Sequence, residues 1–315
     1  MTDFQQTLAT ITDYIKADIF PGASLALYDG KAWQEYYQGT QDGYVPVVPG
    51  LTYDLASVSK VVGVGTLCLF YLQTNKLDLD EKLSTYYPAV ENKTLTLRQL
   101  LSHSSGIDPF IPNRDELDQE GLIATINAIK VRDDKPFLYT DINFILLGLM
   151  LEKLSGLSLD KLFDSEVFQP FGMSETQFGP VGVAVPTVKG IPDGTVHDPK
   201  ARVLKEHTGS AGLFSTLKDL EIFVNHYLTD DFAKNLTKNI SQSKKERSVA
   251  WDLQGDWILH TGYTGTFVLI NIPAQRAAIF LSNRTYYKDE RAQWIKDRDV
   301  LIEIIKEELI SEAVK

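Results

Sequence analysis

The residue pattern of this chain predicts an α+β fold: an antiparallel sheet flanked by N- and C-terminal helices, with an inserted, mainly helical region. Three observations carry that expectation. Two strand-like runs joined by a short turn lie near the start, and several more lie near the end. Between them the apolar residues follow a helical period. Each group of strands borders a terminal helix, so both ends of the chain are expected to share one sheet. The boundaries so read are 1–60 and 195–315 for a discontinuous sheet domain, and 61–194 for the helical region.

Taken in order, Leu8, Ile11 and Ile15 fall on one face of a helix over 4–17, which Pro21-Gly22 breaks. Ala23–Tyr28 and Trp33–Tyr37, on either side of Asp29-Gly30, read as a hairpin. A loop from Gly39 to Gly50 leads to Tyr53-Asp54-Leu55 and then to Ala56-Ser57-Val58-Ser59-Lys60. The run that follows, Val61–Leu72, is too continuously apolar for a surface helix and too short to cross a bilayer. Gly63 and Gly65 would let it be approached closely.

From Asp78 to about Met173 the pattern is mostly helical, with helices expected at Leu97–Leu101, Glu120–Ile129, Asn143–Leu154 and Leu159–Phe168. Residues 175–210 look irregular. Thr216–Leu228 is a helix capped by Ser215 or Thr216. Beyond Arg247, strands are expected at Val249–Trp251, Trp257–Leu259, Thr266–Ile272 and Ala277–Leu281. A closing helix over 288–313 aligns Leu301, Ile305, Leu309 and Ala313.

The 315 residues, 43% hydrophobic and 23% charged, have the composition of a soluble globular protein. Lys and Arg (31) are scattered among more numerous Asp and Glu (42), for a net charge of −11. That balance argues against nucleic acid and against electrostatic membrane binding. The single cysteine, Cys68, lies within the apolar run and reads as a small buried hydrophobe.

The N-terminus, Met1-Thr-Asp-Phe, shows no signal-peptide pattern, so the expected location is cytoplasmic, without membrane insertion. The cell envelope returns if the N-terminus has been trimmed. Oligomeric state is not legible. His197 and His207 lie near loops without metal-ligand spacing, and Gly63-x-Gly65 lacks the rest of a dinucleotide fingerprint. Neither a metal nor an organic cofactor is expected.

Three short constellations carry chemistry. Ser57 and Lys60, three apart, share a face if a helix begins there, and the first turn favours negative charge on Ser57. Ser-x-x-Lys is a common pattern, however, and its plainer reading is Ser57 as an N-cap and Lys60 as a solvated lysine. Tyr139-Thr140-Asp141 precedes the helix at Asn143, which Thr140 or Asp141 could equally cap. His260-Thr261-Gly262-Tyr263 sits at a strand end; its plainer reading is a glycine-rich turn with His260 partly exposed at the edge. His103 reads as a cap residue after the Leu97–Leu101 helix.

In this order the pieces resemble the serine β-lactamase and penicillin-recognising hydrolase superfamily. The likeness is closest to its class C β-lactamase-related branch, with D-alanyl-D-alanine carboxypeptidases, D-aminopeptidases and family VIII-type carboxylesterases. That branch shows Ser-x-x-Lys, then Tyr-x-Asn, then Lys/His/Trp-x-Gly. Leu97-Arg98-Gln99-Leu100-Leu101-Ser102-His103-Ser104-Ser105-Gly106, Leu146-Leu147-Gly148, His197-Asp198-Pro199 and Ala211-Gly212-Leu213-Phe214-Ser215-Thr216 add to it.

The resemblance implies a β-lactamase/transpeptidase-like fold, a single catalytic unit with its site between the two regions, and a serine hydrolase working through an acyl-enzyme. The substrate implied is a small ester or a D-alanyl-type amide or ester. Ser57 would be the nucleophile and Lys60 and Tyr139 the proton-handling pair, with Lys60 made less basic by desolvation. Asp141 and His260 would organise that pair and the substrate. Thr261 and Gly262 would line the acyl pocket, and the Ser57 and Tyr263 N–H groups would hold the oxyanion.

Two departures matter. Asp141 stands where the pattern has an asparagine, and an ionised carboxylate cannot donate an N–H to a substrate carbonyl, although it can hold the Lys60 ammonium. His260 stands where the pattern often has lysine and is only partly cationic at neutral pH, a poorer partner for a β-lactam carboxylate. Both favour esters or D-amino-acid amides over antibiotics. The rival reading is a non-catalytic or single-turnover acyl- or penicillin-binding sensor that keeps the fold.

Overall fold

A computed structural model describes residues 4–311. The chain ends supply one six-stranded sheet, ordered β2-β1-β9-β8-β7-β6 with every neighbouring pair antiparallel. Its strands are β1 (Gly22–Tyr28), β2 (Trp33–Gly39), β6 (Asp252–Gln254), β7 (Trp257–Thr261), β8 (Phe267–Asn271) and β9 (Arg276–Ser282). Helices α1 (Gln5–Lys16) and α11 (Arg291–Ser311) cover one face. Leu25, Leu27, Leu259, Phe267, Leu269 and Phe280 pack there with Ile11, Leu301, Ile305 and Leu309. Ala313 of the expected stripe lies outside the described residues.

The alternate residues, Ala26, Ile258, Val268, Ile270 and Ile279, point to the other face and join the helical core. Both faces are therefore covered, and this is why β8 reads as an unbroken apolar run. The observed sheet is the antiparallel sheet shared by both chain ends that the sequence predicts.

The helical region comprises α2 (Thr66–Gln73), α3 (Leu83–Tyr86), α4 (Leu97–Leu101), α5 (Gln119–Asn127), α6 (Ile142–Ser155), α7 (Leu159–Phe163) and α8 (Gln169–Phe171). A 3₁₀ turn (Ala56–Val58) and a π-helical segment (Val61–Gly65) lead into α2. The continuous run is therefore Ala56–Gln73, long and apolar enough to cross a bilayer by length and composition. This corrects the shorter estimate from Val61–Leu72. Here it is packed in protein: Val61, Val62, Val64, Leu67 and Cys68 are fully buried.

Three other expectations need correction. A second sheet, β3-β5-β4, links β3 (Thr52–Asp54), β4 (Gln177–Phe178) and β5 (Leu213–Thr216). The irregular 175–210 segment contains α9 (Pro199–Leu204), capped by Asp198 through its carboxylate and the Ala201 N–H. Val249–Trp251 is no strand, because Ala250 has φ +70° and breaks the extended backbone before Asp252. Helix α10 (Leu217–Thr229) starts as expected, with Thr216 accepting from the Asp219 N–H.

Candidate active site

The turn that carries Ser57 is clamped from several sides. Leu55 N–H donates to the Leu213 carbonyl of β5. The Asp54 and Leu55 carbonyls accept from the Thr264 and Thr266 hydroxyls of the β7–β8 connection, each at 3.1 Å. The buried Asp54 carboxylate accepts from Ala56 N–H (2.7 Å) and His197 N–H (2.8 Å). Burial pushes this carboxyl up to about 6, although the two N–H groups work against that rise. Between these anchors Ala56 is held at φ +46°, a left-handed conformation that costs an alanine about 1–2 kcal/mol. The clamps offset that strain and fix where Ser57 points.

Lys60 is fully buried, so the solvated-lysine reading does not hold. Its Nζ donates to Ser57 Oγ (2.8 Å), Asp141 Oδ1 (2.8 Å) and the Ser210 carbonyl (2.7 Å). Burial disfavours its charge, but the Asp141 carboxylate, with Tyr139 after it, outweighs burial and holds the ammonium above the usual lysine range. Asp141 is correspondingly held well below the usual carboxylate range: burial opposes this, and Lys60 and Lys200 together overcome it. The expectation of a less basic Lys60 is thus corrected, and the cause is the carboxylate that stands where the pattern has an amide.

Tyr139 lies at the wall of the same pocket, its ring centroid 5.2 Å from Lys60 Nζ. His103 stacks on that ring with centroids 4.3 Å apart. His103 does follow α4, at φ +54°, but it is wholly buried, and its Nδ1 lies 3.0 Å from Asn143 Nδ2. It therefore backs the tyrosine rather than merely ending a helix. The close approach of α6 that brings Tyr139 and Asp141 to Lys60 depends on Gly148 and Gly209. A Cβ at Gly148 would lie 3.1 Å from the Gly209 backbone, and one at Gly209 would lie 2.2 Å from the Phe144 carbonyl.

Strand period decides the third motif. Thr261, Gly262 and Tyr263 line the pocket, whereas His260 does not reach it. Like Ile258 it faces the helical side, buried with Trp251 and Tyr139 rings 6.3 Å away. Burial first, then the nearby Lys60 and Arg247 charges, holds His260 far below the usual histidine range; burial and the same charges do so for His103. In both rings the charged form is disfavoured. The edge-exposed, partly cationic His260 of the sequence reading, and its part in organising substrate, are corrected.

The pocket encloses about 860 Å³. The segments at 107–119 and 175–210 supply walls through Pro109, Ile111, His197 and Lys200 among others. A third wall was not anticipated: Arg284, Arg291, Trp294 and Arg298, from β9 onward into α11. Lys200, also missed, lies directly after the quoted His197-Asp198-Pro199 and could have been found as the second residue of a helix capped by Asp198 and started by Pro199. Arg114 and Arg202 add to a lining far more cationic than the chain's net charge would suggest.

A family model for beta-lactamases matches residues 8–302. The chain belongs to the beta-lactamase family. Among its relatives is an Escherichia coli K12 protein named "Putative D-alanyl-D-alanine carboxypeptidase", 24% identical over 81% of this chain and 75% of that one. Solved structures with the same fold include a class C beta-lactamase from Rhodobacter sphaeroides, with TM-score 0.75 and 19% identity over 94% of this chain and 99% of that one. EstCE1, titled a hydrolase with promiscuous acyltransferase activity, has TM-score 0.75 and 18% identity over 94% of this chain and 97% of that one. This beta-lactamase-family chain is a serine hydrolase.

Proposed function

We propose that the chain hydrolyses a small ester or a D-alanyl-type ester or amide through an acyl-enzyme on Ser57. The observation that carries this reading is the 2.8 Å contact from a buried Lys60 ammonium to Ser57 Oγ, at a pocket that Tyr139 also lines. A serine hydroxyl needs help to attack a carbonyl. With Lys60 held charged by Asp141, its part is electrostatic: it fixes Oγ and stabilises the negative charge that builds there.

The Tyr139 oxygen takes the Ser57 proton as its own O–H proton is given to the leaving group, a relay that leaves the phenol unchanged, and the same oxygen serves the deacylating water. The Ser57 and Tyr263 N–H groups hold the oxyanion, a donor pair in which each member typically contributes about 100–1,000-fold to turnover. The arginines of the third wall suit a carboxylate on the substrate, as a D-alanyl leaving group carries.

Turnover of p-nitrophenyl acetate and butyrate by wild type and by Ser57→Ala tests the proposal. Steady turnover that disappears in Ser57→Ala is expected. Equal rates in the two proteins would contradict it, and one burst without further turnover would instead identify a single-turnover sensor.

A further inference from the structure

Resting on that reading, we propose that Lys200 reads a hydrogen-bond acceptor on the acyl side of the substrate, taking over the donor task that an asparagine at position 141 would perform. An asparagine there could offer an amide N–H to a substrate carbonyl, and Asp141 cannot. The structure supplies a donor beside it. Lys200 Nζ lies 3.0 Å from Asp141 Oδ2, on the carboxylate oxygen opposite the one that meets Lys60. Its other carboxylate, Asp198 Oδ2, is 3.5 Å away.

An ammonium has three N–H groups, and among the described residues these two carboxylates are the acceptors that meet it. Lys200 also lines the pocket, with its side chain only 14% accessible, a partly desolvated setting in which a charge-assisted bond from its third N–H to a substrate counts. Asp141 thus holds two cations, one on the nucleophile and one on the substrate wall. The ligand chemistry that fits is an acyl group with a carbonyl or carboxylate close to the scissile carbonyl, as in an N-acylated amino acid.

The test compares p-nitrophenyl N-acetylglycinate with p-nitrophenyl butyrate, each kcat/KM divided by the ester's hydroxide-catalysed rate. In Lys200→Met the preference for the N-acetylglycyl ester is expected to fall about tenfold or more, the scale of one hydrogen bond to a charged group. Lys200→Arg, which keeps a cationic donor, is expected to retain most of it. Asp141→Asn combined with Lys200→Met restores the amide donor and is expected to recover the preference.

An unchanged ratio in Lys200→Met, or a double variant that stays low, overturns the assignment while ester turnover persists. A uniform fall on both esters leaves the ratio unchanged and means that Lys200 acts only through the charge of Asp141. Failure of the wild type to turn over either ester overturns the hydrolase reading itself, and this inference with it.

Discussion

Each N–H of the Lys60 ammonium already has an acceptor: Ser57 Oγ, Asp141 Oδ1 and the Ser210 carbonyl. A lysine so satisfied is a poor proton acceptor and a good positioning charge. Asp141→Asn removes the charge that stabilises the ammonium, so Lys60 loses its proton at lower pH. If the ammonium is the active form, the alkaline limb of the kcat/KM profile moves to lower pH in that variant; movement of the acid limb alone would make neutral Lys60 the base.

Tyr139→Phe removes the proposed proton carrier, and a fall of about 10²–10⁴-fold in kcat is expected from steady-state rates on p-nitrophenyl butyrate. His103 and His260 are held below the ordinary histidine range by burial and by neighbouring cations. Their ring resonances are therefore expected to show no titration between pH 8 and 5.5, which a histidine-detected NMR titration reads directly. An inflection near the ordinary histidine value would return a partly cationic His260.

At the scale of elements, long apolar runs were legible and short or interrupted ones were not. Val61–Leu72 and Asn143–Leu154 could only be buried helices, because no face of them is polar. The 3₁₀ and π turns that join Ser57 to α2 leave no such signature. Strand β5 was hidden because a four-residue run between a glycine and a helix cap is too short to show a period. Val249–Trp251 has strand-like residues but a left-handed Ala250, which only the backbone reveals.

Packing of the nucleophile helix gives its own prediction. A Cβ at Gly63 would fall 2.3–2.8 Å from three Phe163 ring carbons. Gly63→Ala is expected to destabilise by about 1–3 kcal/mol, as overpacking in a filled core does, read as a lower urea midpoint.

For the whole molecule, strand-like runs at both chain ends and a helical period between them were enough to predict the shared antiparallel sheet, and the structure brings Ser57, Lys60 and Tyr139 close together. The arrival of Lys200 on Asp141 was not legible, since the two are far apart in sequence and close only after folding, whereas the meeting of Asp141 with Lys60 was expected. That meeting changes the chemistry expected of Lys60. With the charge of His260 disfavoured by burial and its ring outside the pocket lining, the third motif is a poor source of a fixed cation for a β-lactam carboxylate. Benzylpenicillin turnover at neutral pH is therefore expected to be slow or absent, and rapid loss of its β-lactam absorbance would contradict this account.

The central claim, that Ser57 is acylated, is tested most directly by intact-mass and peptide-mapping mass spectrometry after treatment with diethyl p-nitrophenyl phosphate. A single diethylphosphoryl group on Ser57 is expected, lost in Ser57→Ala, with esterase activity falling in step with labelling. Labelling elsewhere, or full esterase activity in an unlabelled protein, would contradict it.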